Sequence, residues 1–469
     1  MSRSSTTGST PAKVASASFI GTSIEFYDFF IFGTAAALVF PTLFFPGESP
    51  LIGALLSFAT FGVGFFARPV GGIVFGHFGD RVGRKKMLVT SLIGMGAATF
   101  LMGLLPTYAT IGIAAPICLA LLRLVQGFCV GGEWGGATLM AVEHAPPHRR
   151  GFYGAFAQMG SPAGVAIATL AFLLVAQLSD EAFLSWGWRL PFMFSAVLVV
   201  LGLAIRLRLA ESPAFTRVRQ QQAQVALPAK TAVRDWWRQI LLVAGIFVSQ
   251  GIFAYICMSY LVSYGTSQHG LERTSVLLSV FAAAVVATGL YAVFGAVSDR
   301  IGRRTTYTVG AVAMAVAVIP MLALIETGSP VAFAAAMMLM FGFAMAPAGG
   351  ATGSLFAMMF GPEVRYTGVS LGYTLAQLSG AAFAPLIATT LFAATSSTVG
   401  LALYLLGVSG ISIVSLLLVG GPWGRSEAAR QREEANTQLP NTPGEPSTPF
   451  ASPGSQPNAA TLAPVTAKE

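Results

Sequence analysis

Charge is scarce in this chain. Only 10% of its 469 residues are Asp, Glu, Lys or Arg, where an ordinary soluble domain carries about 25%. Hydrophobic residues make up 54%. A soluble core cannot take in that much apolar surface, because soluble chains of this length split into domains with charged skins. Cysteine is scarce as well: Cys118, Cys129 and Cys257 all lie inside apolar runs. Cys118 and Cys129 fall about three turns apart on one expected helix, too far to bridge. Neither a disulfide framework nor a metal-ligand spacing is present, so no metal is expected. Catalytic signatures are missing too. There is no His-Glu-x-x-His and no Gly-x-x-x-x-Gly-Lys-[Ser/Thr], so neither zinc hydrolysis nor ATP hydrolysis in cis is expected. No catalytic residue and no cofactor is expected beyond a coupling proton, and the chain does not read as an enzyme.

What is present is length in the apolar runs. A helix needs about 20 apolar residues to cross about 30 Å of hydrocarbon. Twelve runs qualify: 15–42, 51–77, 87–106, 110–142, 152–178, 187–209, 237–264, 275–297, 305–325, 331–360, 367–394 and 397–421. The fourth is over-long, which implies tilt or protrusion. The net charge of +8 does not point to nucleic acid, because the basic residues sit between the runs. With both termini in the cytoplasm, Arg81, Arg84, Lys85, Lys86, Arg149, Arg150, Arg206, Arg208, Arg217, Arg219, Lys230, Arg234, Arg238, Arg300, Arg303 and Arg304 fall on the cytoplasmic side. The outer loops keep only Arg189 and Arg273.

These segments divide the chain. Residues 1–14 form a cytoplasmic N-terminal segment without a cleavable signal pattern. Residues 15–209 form one six-helix half and 237–421 a second. The polar stretch 210–236 links them. Residues 422–469 hold eight Pro and many Ser and Thr, and read as a disordered cytoplasmic tail with no heptads.

An internal repeat supports the division. Residues 76–85 read Gly-His-Phe-Gly-Asp-Arg-Val-Gly-Arg-Lys and residues 295–304 read Gly-Ala-Val-Ser-Asp-Arg-Ile-Gly-Arg-Arg. Each copy follows the second helix of its half. Basic loops alone need no Gly-Asp-Gly spacing, so the pattern reads as a duplicated six-helix unit, an architecture of secondary transporters.

The repeat resembles the signature of the major facilitator superfamily. Arg123 with Gln126-Gly127 and Gly131-Gly132-Glu133 resembles that superfamily's fourth-helix motif. Ile24-Glu25-Phe26-Tyr27-Asp28-Phe29-Phe30, Ala67-Arg68-Pro69, Gly131-Gly132-Glu133-Trp134-Gly135-Gly136, Ser185-Trp186-Gly187-Trp188-Arg189 and Arg365-Tyr366-Thr367-Gly368 resemble the metabolite:proton symporter family within it. The first half is most similar to the shikimate carriers. The resemblance covers residues 15–421. It implies an all-α integral membrane protein, with twelve transmembrane helices in two pseudo-symmetric six-helix halves. It also implies gating by Gly76, Asp80, Arg81, Gly83 and Arg84, and by Gly295, Asp299, Arg300, Gly302 and Arg303. In the superfamily that Asp resembles a latch between the halves.

Five charges lie inside apolar runs: Glu25, Asp28, Arg68, Arg123 and Glu133. Each costs about 2.5–3.5 kcal/mol at mid-bilayer on insertion scales and is a functional candidate by default. At 1.5 Å per residue, Glu25, Asp28 and Arg123 share one depth. Glu25 and Asp28 also share a helix face. One carboxylate is expected to pair with Arg123, which would attract a substrate carboxylate, while the other takes a proton. Glu133 and Arg68 are read as a relay or a gate. Tyr27, Trp134, Gln158, Gln250, Tyr255, Tyr373 and Gln377 are the expected pocket walls. His77 and His144 sit at the cytoplasmic face and read as interfacial.

The function expected is secondary active transport: proton-coupled import of a small organic acid, shikimate-like or another carboxylate, across a bacterial inner membrane. The alternative keeps the fold and moves a zwitterionic osmolyte such as proline or glycine betaine. That alternative loses ground to the missing coiled coil, which such carriers of the resembled family often have. The expected partners are the small molecule, protons and lipid, with no nucleic acid and no obligate protein.

Overall fold

Surrounded by hydrocarbon, a backbone must satisfy its own hydrogen bonds, and the apolar runs therefore form helices. The computed structural model describes residues 10–82, 84–131, 133–207, 233–361 and 364–419. The side chains of residues 76, 77, 79–82, 84, 85, 88, 133, 134, 206, 207 and 381 are outside that description. So are most of the expected linker, Gly83, and the expected tail from Pro422.

Twelve long helices answer the twelve runs. In the first half these are α1 Pro11–Leu38, α2 Pro50–Val82, α3 Arg84–Leu104, α4 Ala114–Glu143, α5 Arg150–Val175 and α6 Arg189–Leu207. The second half holds α7 Trp237–Ser267, α8 Arg273–Ile301, α9 Arg303–Glu326, α10 Pro330–Met358, α11 Arg365–Thr395 and α12 Val399–Val419. Pro11, Pro50 and Pro330 open α1, α2 and α10, where a missing N–H costs nothing. Among the described residues nine helices are long and apolar enough to cross a membrane. The number is ten if Asp180–Gly187 and Arg189–Ile205, which meet at 43°, form one span. Of the two others, α1 carries Lys13, Glu25 and Asp28, and the described apolar part of α3 is the shorter Val89–Leu104.

The over-long fourth run is divided. A four-residue helix, Tyr108–Ile111, precedes α4, and within α4 the regular helix Ala114–Val130 is followed by a turn at Gly131. In the second half α7, α10 and α11 each include a π-helical stretch, at Ile256–Tyr260, Met338–Ala344 and Gln377–Ala381. Such stretches are rare and often mark functional sites.

Glycine sets how close α2 and α4 come. A Cβ on Gly127 would stand 1.8 Å from the Gly64 carbonyl oxygen, and one on Gly71 would stand 1.8 Å from that of Phe128. A Cβ on Gly131 would lie 2.0 Å from the Arg68 carbonyl oxygen. Small residues permit this backbone-to-backbone packing inside a membrane. It places Arg68 and Arg123, one on each helix, in the same buried layer.

The two halves meet along α5 and α8. Their glycines again permit the approach: a Cβ on Gly295 would lie 2.5 Å from the Cβ of Ala155.

Candidate functional site: a cavity between the halves and a buried charge layer

A cavity of about 400 Å³ lies between the halves. Its wall takes Phe26 and Phe30 from α1 and Gln158 and Ser161 from α5. From the second half come Phe247, Gln250 and Tyr255 of α7, Tyr291 of α8, Met345 of α10, and Tyr373 and Gln377 of α11. Among the described residues no charged side chain lines the cavity.

The polar side chains are held by one another. Gln250 Oε1 accepts from the Thr352 hydroxyl at 3.1 Å and the Tyr307 hydroxyl at 3.3 Å. Gln377 Nε2 lies 3.4 Å from both the Tyr255 and Tyr373 hydroxyls. Gln377 Oε1 is buried and has no partner of its own. Gln377 opens the π-helical stretch of α11, which turns its amide toward α7.

Beside the cavity is the charge layer. Arg123 is fully buried, and its guanidinium carbon lies 4.0 Å from the Phe29 ring centre and 4.3 Å from that of Phe32. Its Nε donates to the Phe61 carbonyl at 3.3 Å, and Nη1 donates to Gln126 Oε1. Gln126 Nε2 then donates to the Asp28 main-chain carbonyl at 3.1 Å and to the Thr99 hydroxyl at 2.8 Å. Arg68, 5% exposed, stacks on Phe29 and Phe65, each at 4.5 Å. Two guanidinium groups therefore share the Phe29 ring. Arg68 also lines a smaller chamber of about 270 Å³ with Glu25, Gly131, Gly135, Ser370, Tyr373 and Thr374.

The structure brings together Gln158, Gln250, Tyr255, Tyr373 and Gln377 on the cavity wall. Arg123 and Tyr27 are not there. Tyr27 points to α6, where its hydroxyl donates to the Pro191 carbonyl at 2.6 Å and its ring packs on Phe194. Arg123 lies behind Phe29 and Phe61. The expected pairing of Arg123 with a carboxylate of α1 also differs: no ion pair links it to Asp28, whose two carboxylate oxygens accept no hydrogen bond among the described residues. Gln126 stands between them and takes the Asp28 backbone instead of its side chain. Glu25 faces the Arg68 chamber. The side chains of Glu133 and Trp134 lie outside the described residues.

Sequence reasoning missed Gln126 as a site residue, together with Thr99, Tyr291 and Ser370. Gln126 had a signal: a polar amide three residues after a buried Arg shares its helix face. The stretch Gly368-Val369-Ser370-Leu371-Gly372 spells Gly-x-Ser-x-Gly. It runs inside helix α11, whereas a nucleophilic serine needs a strained strand-to-helix turn.

The second copy of the repeat ties the halves together. Asp299 of α8 accepts from the main-chain N–H groups of Gly151 at 2.7 Å and Phe152 at 2.9 Å. A carboxylate at a helix N-terminus is stabilised by the orphan donors there. Arg303 lies 3.6 Å from the same carboxylate, Gly302 takes φ +95° at the turn, and Arg300 is exposed. At this end Arg365 of α11 also meets Glu143 of α4 at 3.9 Å. At the opposite end Arg273 pairs with Asp180 at 2.8 Å. The side chains of Asp80, Arg81 and Arg84 in the first copy are outside the described residues, as is Gly83; Gly76 lies within α2.

Asp299→Asn is expected to weaken one end only. The amide cannot accept two N–H bonds with full charge. The balance between forms open to either side should shift by about 5- to 150-fold, the range of a 1–3 kcal/mol coupling. Cysteine accessibility measured from each face of the membrane would show it. An unchanged accessibility pattern would remove the latch role.

The family model described as Major Facilitator Superfamily matches residues 18–385. The inner membrane metabolite transport protein YhjE of Escherichia coli strain K12 is 44% identical over 416 residues, covering 87% of this chain and 93% of that protein. The shikimate transporter of the same organism is 39% identical over 415 residues, covering 87% and 94%. Its proline/betaine transporter is 32% identical over 413 residues, covering 86% and 82%. A solved structure of the proton:xylose symporter XylE overlays with a TM-score of 0.69 at 15% identity, covering 88% of this chain and 95% of that one, a likeness of fold alone. The chain is thus a multi-pass membrane protein with the all-helical fold of these transporters, and it belongs to the major facilitator superfamily.

Proposed function

We propose that this transporter imports a small hydroxylated organic acid together with a proton, across a bacterial inner membrane, by alternating access. The observation that carries the reading is one juxtaposition. A cavity walled by Gln158, Gln250, Gln377, Tyr255, Tyr291 and Tyr373 lies beside a membrane-buried layer holding Glu25, Asp28, Arg68 and Arg123. The amides and hydroxyls suit a ligand with hydroxyl groups, and the buried carboxylates suit proton uptake. The 39% identity to a shikimate transporter favours the same chemistry. The Lys and Arg asymmetry of the loops supports an orientation with both termini in the cytoplasm. The Asp299 end then closes the cytoplasmic side, and the Asp180–Arg273 end closes the outer side. Either Glu25 or Asp28 carries the proton.

A second reading has its own support. The rings of Phe26, Phe30, Phe247, Tyr255, Tyr291 and Tyr373 surround the cavity, and aromatic faces attract quaternary ammonium groups. A 32% identical relative carries proline and betaine by its name. Thermal shift of the purified protein decides between them, since a ligand bound only by the native state stabilises it. The acid reading expects stabilisation by shikimate and none by glycine betaine at equal concentration. The reverse result would overturn it.

A further inference from the structure

The chamber lined by Glu25 and Arg68 is distinct from the main cavity. It lies between α1, α2, α4 and α11, and Tyr373 forms part of the wall of both spaces. Arg68 makes no ion pair among the described residues, and its Nε has no hydrogen-bond partner. The Ser370 hydroxyl on the same wall has none either. Glu25 shares the chamber with Arg68 but makes no ion pair with it, and the guanidinium keeps an unsatisfied donor. A buried donor without a partner is costly, and a carboxylate with good geometry relieves that cost. The main cavity offers the opposite chemistry, with amides and hydroxyls on its wall and no charge among the described residues.

We propose that the chamber is an anion subsite of the transport site. The substrate is a hydroxylated monocarboxylic acid. Its neutral body lies in the main cavity, and its carboxylate passes Tyr373 to meet Arg68 and Ser370. The inference rests on the organic-acid reading above and narrows it. The guanidinium supplies a planar fork for the two carboxylate oxygens, and Ser370 supplies a hydroxyl donor. A dicarboxylate is disfavoured, because its second charge would enter a cavity with no cation. Glu25 shares the chamber, where the groups facing it are Arg68 of α2 and Tyr373 of α11, while α4 presents Val130, Gly131 and Gly135. Two carboxylates in one site repel unless a proton is held between them. The acid and its proton therefore enter as a pair.

The test compares shikimate with its neutral methyl ester, by calorimetry on the full chain in lipid nanodiscs. Wild type should bind the ester about 10- to 100-fold more weakly, the size of a charge-assisted bond. In Arg68→Gln, shikimate should fall to the level of the ester, with the ester itself unchanged. Ser370→Ala removes only an unpartnered oxygen and should weaken shikimate about 3- to 10-fold, again sparing the ester. Gln250→Ala should weaken both ligands, which reads the main cavity separately. If Arg68→Gln fails to fold, Ser370→Ala carries the test alone. Full preference for shikimate over the ester in the folded variants overturns the subsite. Wild-type protein that binds glycine betaine and neither shikimate nor its ester overturns the acid reading itself.

Discussion

Arg123→Lys is expected to reduce concentrative uptake by about 100-fold or more while leaving ligand binding within about threefold. The guanidinium makes two directed bonds at once, to the Phe61 carbonyl and to Gln126, while it packs on Phe29, Phe32 and Phe61. An ammonium keeps the charge and loses the fork. Hydrogen bonds to a charged group contribute about 1.5–3 kcal/mol each, and tenfold is about 1.4 kcal/mol. Binding is spared because Arg123 is absent from the cavity wall. Arg123 is thus a positioning residue: through Gln126 it fixes the α1 backbone at Asp28. Paired variants separate this from simple helix adhesion. Arg123→Gln combined with Asp28→Asn, or with Glu25→Gln, removes opposite charges together. If the charges only hold helices, one of the doubles should regain accumulation; if a carboxylate carries the proton, both stay inactive. Glu25→Gln or Asp28→Asn alone should abolish proton-driven accumulation in one case at least, with substrate exchange retained. Full accumulation in both singles would move the search to Glu133.

Gly127→Val should be as severe, by another route. The Gly127 Cα faces the backbone of Gly64, so a side chain there has to push α2 from α4. Overpacking typically costs about 1–3 kcal/mol, and a contact with rigid backbone belongs at the upper end or beyond. The expected result is little or no folded, monodisperse protein in detergent. Gly410→Ala is the control: nothing lies within 4 Å of its Cβ position, and Ala gains helix propensity of about 1 kcal/mol. Normal yield and melting temperature for Gly127→Val would mean that the α2–α4 approach is looser than described.

The contrast between these two helices and α1 explains what the sequence reveals and what it conceals. Apolar length and loop charge are one-dimensional signals, so twelve runs and the repeat were legible as helices and as a duplication. Burial of the charges agrees with their place inside apolar runs: Glu25, Asp28 and Arg123 are all buried, and Gln126 links Arg123 to the Asp28 backbone. Rotation about the helix axis was not legible. From Gly21 to Ala36 every residue of α1 is buried, so no apolar stripe tells which face meets the cavity. That is why the sequence does not reveal that Tyr27 turns to α6. The partner of Asp28 was hidden for a related reason. A charge-to-charge pairing is the simplest guess from composition, but the neutral amide of Gln126 occupies the gap. On α11 Gln377 opens a π-helical stretch, which has no composition signature.

Proton coupling is measured directly in proteoliposomes. Purified protein is reconstituted, and shikimate uptake is followed with the interior made alkaline, with and without a protonophore. The account requires accumulation above the external concentration that collapses to equilibrium when the protonophore is added, and alkalinisation of the external medium as the acid enters. Uptake that only equilibrates shikimate, at the same rate with and without the gradient, would contradict it.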